Sequence, residues 1–193
     1  MTLPLETSLP FKITICGLSE LRQHRDAHVT HVLSILDPEF PAPTAFADYG
    51  AHAKLELRFD DIINEVDKLK APQPEHVDAL LKFGAGLERE RDAHLLVHCH
   101  MGISRSTSST ALLVAQAAPS MAPAEIFAAL LKIRPQIWPN LRIIEMGDKK
   151  LGRNGTMVAA VRDLYRLQIE RDPNWVAEMR AEGRGREINL AYS

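Results

Sequence analysis

The chain has 193 residues, enough for one domain with a sizeable hydrophobic core. Hydrophobic residues make up 46% and charged residues 25%, a composition that excludes collagen-like, coiled-coil and intrinsically disordered chains. The 23 Lys and Arg residues against 25 Asp and Glu residues give a net charge of -2, without the basic field that holds nucleic acid or an anionic membrane. We therefore expect neither of these as a partner, and any anion site must be local.

The first residues, MTLPLETSLP, lack the basic flank and apolar stretch of a signal peptide, and no apolar run approaches the ~18 residues of a membrane span. These features predict a cytoplasmic protein. The two cysteines, Cys16 and Cys99, are too few for a disulfide scaffold, so each is either a small core residue or a nucleophile. The sequence carries no signal of the oligomeric state.

Strands and helices alternate in the first half of the chain. Short runs rich in β-branched residues predict strands, and the apolar run HLLV at 94–97 is typical of a strand buried on both faces. Three prolines mark the segment 37–50 as a loop. The predicted strands are 11–16, 31–36, 54–59 and 94–97, with helices at 19–27 and from Pro74 onwards.

Four helices are predicted in the second half. They begin near residues 107, 123, 140 and 156, and prolines, glycine or loss of periodicity end them. Strands that alternate with helices, followed by a helical half, predict an α/β fold with a central, mostly parallel sheet flanked by helices. We expect one catalytic domain over 1–172 and an appended C-terminal tail over 173–193, where periodicity is lost.

The segment HCHMGISRS follows the buried strand and precedes a helix. A loop that leads into a helix N-terminus directs backbone N–H groups and partial positive charge towards one point, which forms an anion cradle. Gly102 permits a turn that a Cβ atom would obstruct, and the planar fork of Arg105 can hold two phosphate oxygens. The same field favours thiolate over thiol at Cys99, and a thiolate facing a bound phosphate is a nucleophile for phosphoryl transfer. The Ser106 hydroxyl can stabilise the sulfur when it leaves again.

The pattern Cys-x5-Arg, with His before and Ser after, resembles the active-site signature of the cysteine-dependent protein tyrosine phosphatases. The full segment HCHMGISRS is most similar to that of the small dual-specificity group. Together with an RPQIWPN segment, the resemblance covers roughly residues 11 to 150. It implies the phosphatase-like α/β fold and a hydrolase that needs no cofactor and acts on a phosphorylated protein or a small phosphomonoester. By resemblance, Cys99 forms a phosphocysteine intermediate, Arg105 clamps the phosphate, His98 orients and tunes the cysteine, and Ser106 aids hydrolysis.

The loop interior is the substrate-binding segment that the resemblance implies. Where the family usually carries Ala before the loop glycine, this chain has Met101, which either narrows the mouth of the pocket or fills space. The implied substrate-binding residues are His100, Met101, Gly102, Ile103, Ser104 and Arg105.

The family also uses an aspartate that protonates the leaving alkoxide, on a loop after a strand that precedes the nucleophile's strand. The segment FDDI at 59–62 occupies that place, and we favour Asp61 over Asp60 as the acid because a residue or more usually separates the strand end from it. The Asn140 side chain has two candidate roles. It either caps a helix or, as in the resembling group, helps to hold the phosphate loop.

Other interpretations remain beside the phosphatase. The HCH triplet suggests zinc, but alternation places His98 and His100 opposite the sulfur and no second ligand pair follows, so we expect no metal. A rhodanese-like sulfurtransferase also uses a cysteine loop before a helix, although such loops are commonly shorter and lack the flanking His and Ser. A non-catalytic phosphate-binding module would have lost the cysteine, the arginine or the acid, and this sequence has a candidate for each.

Overall fold

A computed structural model describes residues 9–87, 89–90 and 92–193 of the chain. The expectation that the chain has no signal peptide concerns mainly residues 1–8, and these lie outside the described residues.

The four predicted strands form one sheet. Its strands pair in parallel in the order β1-β4-β2-β3, so β4 lies between two neighbours as the apolar run HLLV predicts. The prediction of a central parallel sheet is confirmed. Residue His98 is in register with Cys16 on one side and Ser34 on the other, so the carboxyl ends of three strands meet at one edge. The strands are β1 (Lys12–Cys16), β2 (His31–Leu36), β3 (Ala53–Arg58) and β4 (His94–His98).

Helices follow the predicted order, with two differences in the first half. The segment predicted as a helix at 19–27 forms a 3-10 helix, Leu18–His24, and a second 3-10 helix, Thr44–Asp48, lies within the predicted loop. Among the described residues, no helix combines the length and the hydrophobicity needed to cross a bilayer. The α-helices are α1 (Pro74–Leu87), α2 (Arg105–Ala117), α3 (Pro123–Ile133), α4 (Leu141–Lys150), α5 (Thr156–Arg171), α6 (Asn174–Ala181) and α7 (Gly185–Ala191).

The core lies on both faces of β4, whose central residues Leu95, Leu96 and Val97 are fully buried. Leu95 and Val97 belong to the large cluster that contains the apolar faces of helices α1 to α7, whereas Leu96 belongs to a smaller cluster with Leu21 of the first 3-10 helix. This alternation is what a strand with side chains on opposite faces requires. The loop after β4 is therefore held by a strand packed on both sides.

The expectation of an appended tail over 173–193 is wrong, because this segment forms α6 and α7 and closes part of the core. Ile188 and Ala191 are fully buried, and the Trp175 ring stacks on Trp138 with centroids 4.9 Å apart. The two helices have only eight and seven residues, too few turns for a clear apolar periodicity. Their pattern is further obscured because they bury Arg184 and Glu187 as a polar pair. The domain division at residue 172 otherwise stays a prediction.

Candidate active site

The loop between β4 and α2 passes very close to the end of β1. Gly102 has a φ of +71°, and a Cβ atom there would lie 2.6 Å from the carbonyl carbon and oxygen of Cys16 and 2.8 Å from the Gly17 nitrogen. Real Cβ atoms do not approach backbone so closely, and a positive φ is itself unfavourable for residues with side chains. Glycine is therefore required at this position by conformation and by space.

Donors from outside the loop hold its carbonyl oxygens. In a trans peptide the C=O bond and the following N–H bond point in opposite directions, so fixing the carbonyls outwards turns the next N–H groups inwards. The sequence prediction of an anion cradle rests on this orientation. The contacts are Leu18 N to His100 O at 2.9 Å, Arg134 Nη2 to Met101 O at 2.8 Å and Trp138 N to Ile103 O at 3.0 Å.

Cys99 lies at the base of the loop with 2% of its surface exposed. The Gly102 N–H donates to its Sγ at 3.2 Å, and the Ser106 Oγ lies 3.3 Å from the same sulfur. Both groups are hydrogen-bond donors available to a thiolate, and Ser106 is placed at the first turn of α2, where the dipole adds partial positive charge. The structure thus brings the predicted nucleophile and the predicted hydroxyl into direct contact.

His98 is fully buried, and its Nδ1 lies 3.4 Å from the carbonyl oxygen of Cys99. Burial lowers the pKa of His98 to about 4. The ring is therefore neutral near pH 7 and positions the backbone of Cys99, but it brings no positive charge to the sulfur.

Arg105 is only 3% exposed and is held by two acceptors outside the loop. Its Nη1 donates to Asp37 Oδ1 at 2.6 Å and to the Phe59 carbonyl oxygen at 2.8 Å. Its buried Nε has no hydrogen-bond partner among the described residues. A bound oxyanion would satisfy this donor, which suits the predicted role of phosphate clamp.

The two candidate acids have different surroundings. Asp61 Oδ1 accepts hydrogen bonds from Ser104 Oγ at 2.8 Å and Asn140 Nδ2 at 2.9 Å, and its Oδ2 lies 3.8 Å from Arg105 Nε. Asp60 instead accepts the backbone N–H of Lys70 at 2.7 Å. The structure therefore places Asp61 against the phosphate loop, whereas Asp60 fixes the chain that follows β3.

The charge state of Asp61 is set by opposing influences. Burial raises the pKa of its carboxyl, but Arg184 and Arg105, with hydrogen bonds from Asn140 and Ser104, outweigh burial and bring the pKa below its usual range. Without ligand, Asp61 is therefore a carboxylate at neutral pH.

Asn140 fills the first of the two roles considered for it, that of helix cap, whereas its contact towards the site is with Asp61 and its role in holding the phosphate loop stays a prediction. Its side-chain oxygen accepts the Ile143 N–H at 3.2 Å and so caps α4, while its Nδ2 donates to Asp61. Its backbone N–H also donates to Ser108 Oγ of α2 at 2.6 Å. One buried side chain thus joins a helix N-terminus to the candidate acid.

His100 and Met101 lie at the mouth of the site. The His100 ring packs edge-on against Phe40 with centroids 4.5 Å apart, and its Nε2 is 3.5 Å from Asp37 Oδ2. Burial lowers the pKa of His100 even though Asp37 opposes it. Met101 is 65% exposed and borders the entrance.

These residues surround a cavity of about 460 Å³. The C-terminal helices supply one of its walls, which sequence reasoning missed. The lining includes all five residues Cys99, Arg105, Asp37, Asp61 and Arg184, together with Trp138, Trp175, Glu178, Met179 and Glu182.

Arg184 connects α7 to the phosphate loop. Its Nη1 donates to Ser104 Oγ at 2.9 Å and lies 3.5 Å from Asp61 Oδ1, while its Nε and Nη2 donate to the two oxygens of Glu187 at 2.9 and 2.8 Å. Glu187 is fully buried and also accepts the indole N–H of Trp138 at 2.6 Å. The loop serine, the candidate acid and the C-terminal helices therefore share one buried polar network.

Asp37 could have been found from the sequence, whereas Arg184 could not. Asp37 directly follows β2, and side chains after the carboxyl ends of neighbouring parallel strands gather at one edge of the sheet. Arg184 lies in a segment without periodicity, 79 residues after Arg105, and nothing in its local pattern points to the loop.

The remaining predicted features concern metal and the second cysteine. Within the described residues, no group of three or more His, Cys, Asp or Glu side chains is arranged to hold a metal ion. Cys16 is 1% exposed, and burial raises the pKa of its thiol to about 12. It has the surroundings of a packed core residue.

No protein-family model and no curated protein matches the sequence. Solved structures do match. Human DUSP28 aligns at 18% identity with a TM-score of 0.56, covering 73% of this chain and 92% of that one. A mouse putative dual specificity phosphatase complexed with zinc tungstate aligns at 17% identity with a TM-score of 0.55, covering 78% and 87%. PTPMT1 in complex with PI(5)P aligns at 18% identity with a TM-score of 0.53, covering 75% and 94%.

The fold is that of the small dual-specificity phosphatases. The fold resemblance stated from the Cys-x5-Arg motif is confirmed. In this phosphatase fold the loop 99–105 lies at the carboxyl end of the central strand, where α/β sheets bind their ligands.

Proposed function

We propose that the chain is a phosphomonoester hydrolase of the protein tyrosine or dual-specificity phosphatase type, acting through a phosphocysteine intermediate on Cys99. The observation that carries this proposal is the sulfur of Cys99 at the base of the cavity, with the Gly102 N–H and Ser106 Oγ within 3.3 Å and Arg105, whose buried Nε has no hydrogen-bond partner among the described residues, in the same lining. A nucleophile, an anion cradle and a leaving-sulfur donor are thus supplied by one loop and the first turn of the helix that follows it.

In the first step the Cys99 thiolate attacks phosphorus, and the bond from phosphorus to the ester oxygen breaks. Arg105 and the loop N–H groups hold the phosphoryl oxygens, while Asp61 donates its proton to the leaving oxygen. A bound dianion occupies Arg105 and adds negative charge beside Asp61, and both effects raise the pKa of that carboxyl in the complex.

In the second step water attacks the phosphocysteine and gives a proton to the Asp61 carboxylate. The phosphorus–sulfur bond breaks, inorganic phosphate forms, and the sulfur leaves as a thiolate stabilised by the Ser106 hydroxyl 3.3 Å away. The sum of both steps is the hydrolysis of one ester to one alcohol and one phosphate.

We further propose an aryl phosphomonoester, phosphotyrosine first, as the preferred substrate class. The loop interior has no lysine, and His100 is largely neutral at pH 7 because burial lowers its pKa. One neighbour of the same fold, PTPMT1, was solved with PI(5)P. A polyanionic headgroup would find little additional positive charge in this loop.

Three assays on the purified chain test the proposal. It predicts release of phosphate from p-nitrophenyl phosphate, no sulfur transfer from thiosulfate to cyanide, and activity that survives EDTA, because the proposed chemistry uses only side chains and backbone N–H groups of the protein. Thiosulfate turnover without phosphatase activity would indicate the rhodanese-like alternative. Capture of phosphotyrosine without hydrolysis would indicate a binding module. The cytoplasmic location also stays part of the proposal, since a reducing compartment protects Cys99 from oxidation.

A further inference from the structure

Two glutamates of the C-terminal segment lie on the rim of the cavity. Glu178 is in the last turn of α6 and Glu182 is its C-cap residue, so the two are spaced four residues apart and face the same side. Both are exposed. Acidic side chains oppose the helix dipole at a C-terminus, so helix stability does not explain their positions.

The cavity carries more negative than positive side chains. Five carboxylates line it against two guanidinium groups, and both guanidiniums are already engaged, Arg105 with Asp37 and Arg184 with Glu187. Among the described residues, neither Glu178 nor Glu182 forms an ion pair within 4.0 Å. The lining carboxylates are those of Asp37, Asp60, Asp61, Glu178 and Glu182.

The floor of the same cavity, in contrast to its acidic rim, favours a bound anion. Arg105 is 97% buried, and its unpartnered Nε belongs to the loop that forms the anion cradle. The complementary ligand is therefore an anion at the floor with a cation beside it at the rim, whereas a polyanion would bring its outer charges against the two glutamates.

We propose that Glu178 and Glu182 select phosphopeptides that carry Lys or Arg close to the phosphorylated residue. The inference rests on the proposed phosphatase function and specifies its substrate class. It assigns to α6 a role in specificity, while the chemistry belongs to the loop after β4.

Two phosphotyrosine peptides of one sequence, differing only in Lys or Glu on either side of the phosphorylated residue, test this proposal. At low ionic strength the wild type should show a kcat/KM about three- to tenfold higher for the Lys peptide, the range expected for one or two exposed ion pairs. The preference should shrink in 0.5 M salt, because salt screens exposed charges. The double variant Glu178→Lys/Glu182→Lys should lose or invert it.

The double variant places cations at a helix C-terminus, where they are favourable, so we expect it to fold. Glu170→Lys is the matched control, since Glu170 is an exposed glutamate of α5 outside the cavity lining and should keep the wild-type ratio.

Hydrolysis of both peptides at equal kcat/KM overturns this inference and leaves the proposed function standing. A preference that persists in the double variant, or a higher kcat/KM for a phosphoinositide than for the Lys peptide, also overturns it. If neither peptide nor p-nitrophenyl phosphate is hydrolysed, the proposed function fails and this inference fails with it.

Discussion

The cavity has two walls that are built in different ways. The first, which we call the contiguous wall, is the loop 99–105, whose shape follows from a buried strand, a required glycine and a helix N-terminus. The second, the assembled wall, combines segments far apart in the chain, namely Asp37, Asp61 and the C-terminal helices with Arg184. The nucleophile and the phosphate site therefore come from one continuous segment that donors elsewhere in the chain brace, whereas the acid and the rim come from segments that only the tertiary fold brings together.

The largest expected effects lie in the contiguous wall. Cys99→Ser should reduce turnover of p-nitrophenyl phosphate by several orders of magnitude, because a serine hydroxyl is not ionised at neutral pH. Phosphate or vanadate should still bind, since the N–H cradle and Arg105 remain. Arg105→Ala should lose the binding as well, by one to several orders of magnitude for a bidentate charged contact. Isothermal titration and steady-state kinetics measure the two quantities, and wild-type turnover in either variant would contradict the assignment.

Loss of Asp61, the acid in the assembled wall, should slow hydrolysis most for the substrates with the most basic leaving groups. Asp61→Asn should slow phosphotyrosine hydrolysis by about 10² to 10⁴, and p-nitrophenyl phosphate hydrolysis less, because the tyrosine phenol with a pKa near ~10 is the more basic leaving group. Asp60→Asn, the matched control, should keep both rates.

The pH profile provides a second readout for Asp61. A general acid acts in its protonated form, and the pKa of Asp61 is below its usual range in the free protein. The kcat/KM for phosphotyrosine should therefore fall as pH rises from acidic values, and Asp61→Asn should flatten this limb. Exchange of the two phenotypes would identify Asp60 as the acid.

Arg184 tests whether the assembled wall depends on its buried network. Arg184→Met leaves the buried Glu187 without its charged partner, which we expect to reduce the free energy of unfolding by about 3–5 kcal/mol. Arg186→Met removes an exposed pair with Glu145 and should reduce it by no more than about 1 kcal/mol. Urea denaturation measures both, and equal effects would show that the buried network does not hold the wall.

The smallest expected effect is on the pH dependence of the free energy of unfolding, and it comes from His98, the last residue of the strand before the loop. Burial lowers the pKa of His98 to about 4, so the unfolded chain, where His titrates near ~6.5, takes up the proton first. The contribution of His98 to the free energy of unfolding is therefore fully present above pH 6.5. It decreases as the pH falls towards 4, and the total loss is about 3 kcal/mol.

Urea denaturation at pH 7.5 and pH 5 should therefore show a smaller loss of stability in His98→Asn than in the wild type. His28→Asn changes an exposed residue at a positive φ, which Asn tolerates, and should retain the wild-type pH dependence. A His98→Asn variant that keeps the full wild-type pH dependence of the free energy of unfolding would contradict this role of His98.

The same contrast explains how far the sequence alone leads. The buried strand β4 and the loop with Cys99, Gly102 and Arg105 are predictable because the residue types and spacing that mark them lie within one short segment, even though distant residues brace that loop in the structure. Its place after a strand favours Asp61 over Asp60 as the acid, and the structure brings Asp61 against the loop, while its role stays a prediction. Arg184 was missed because short helices that bury a charged pair look like a polar tail.

The central claim is that Cys99 carries the phosphoryl group during turnover. Rapid quenching of the protein with 32P-labelled p-nitrophenyl phosphate in alkaline detergent, followed by peptide mapping at alkaline pH, tests it directly. We predict label that is stable in alkali and labile in mild acid on the peptide that contains Cys99, more of it in Ser106→Ala because the sulfur then leaves more slowly, and none in Cys99→Ser. Turnover without a covalent adduct, or label on a different residue, would contradict the account.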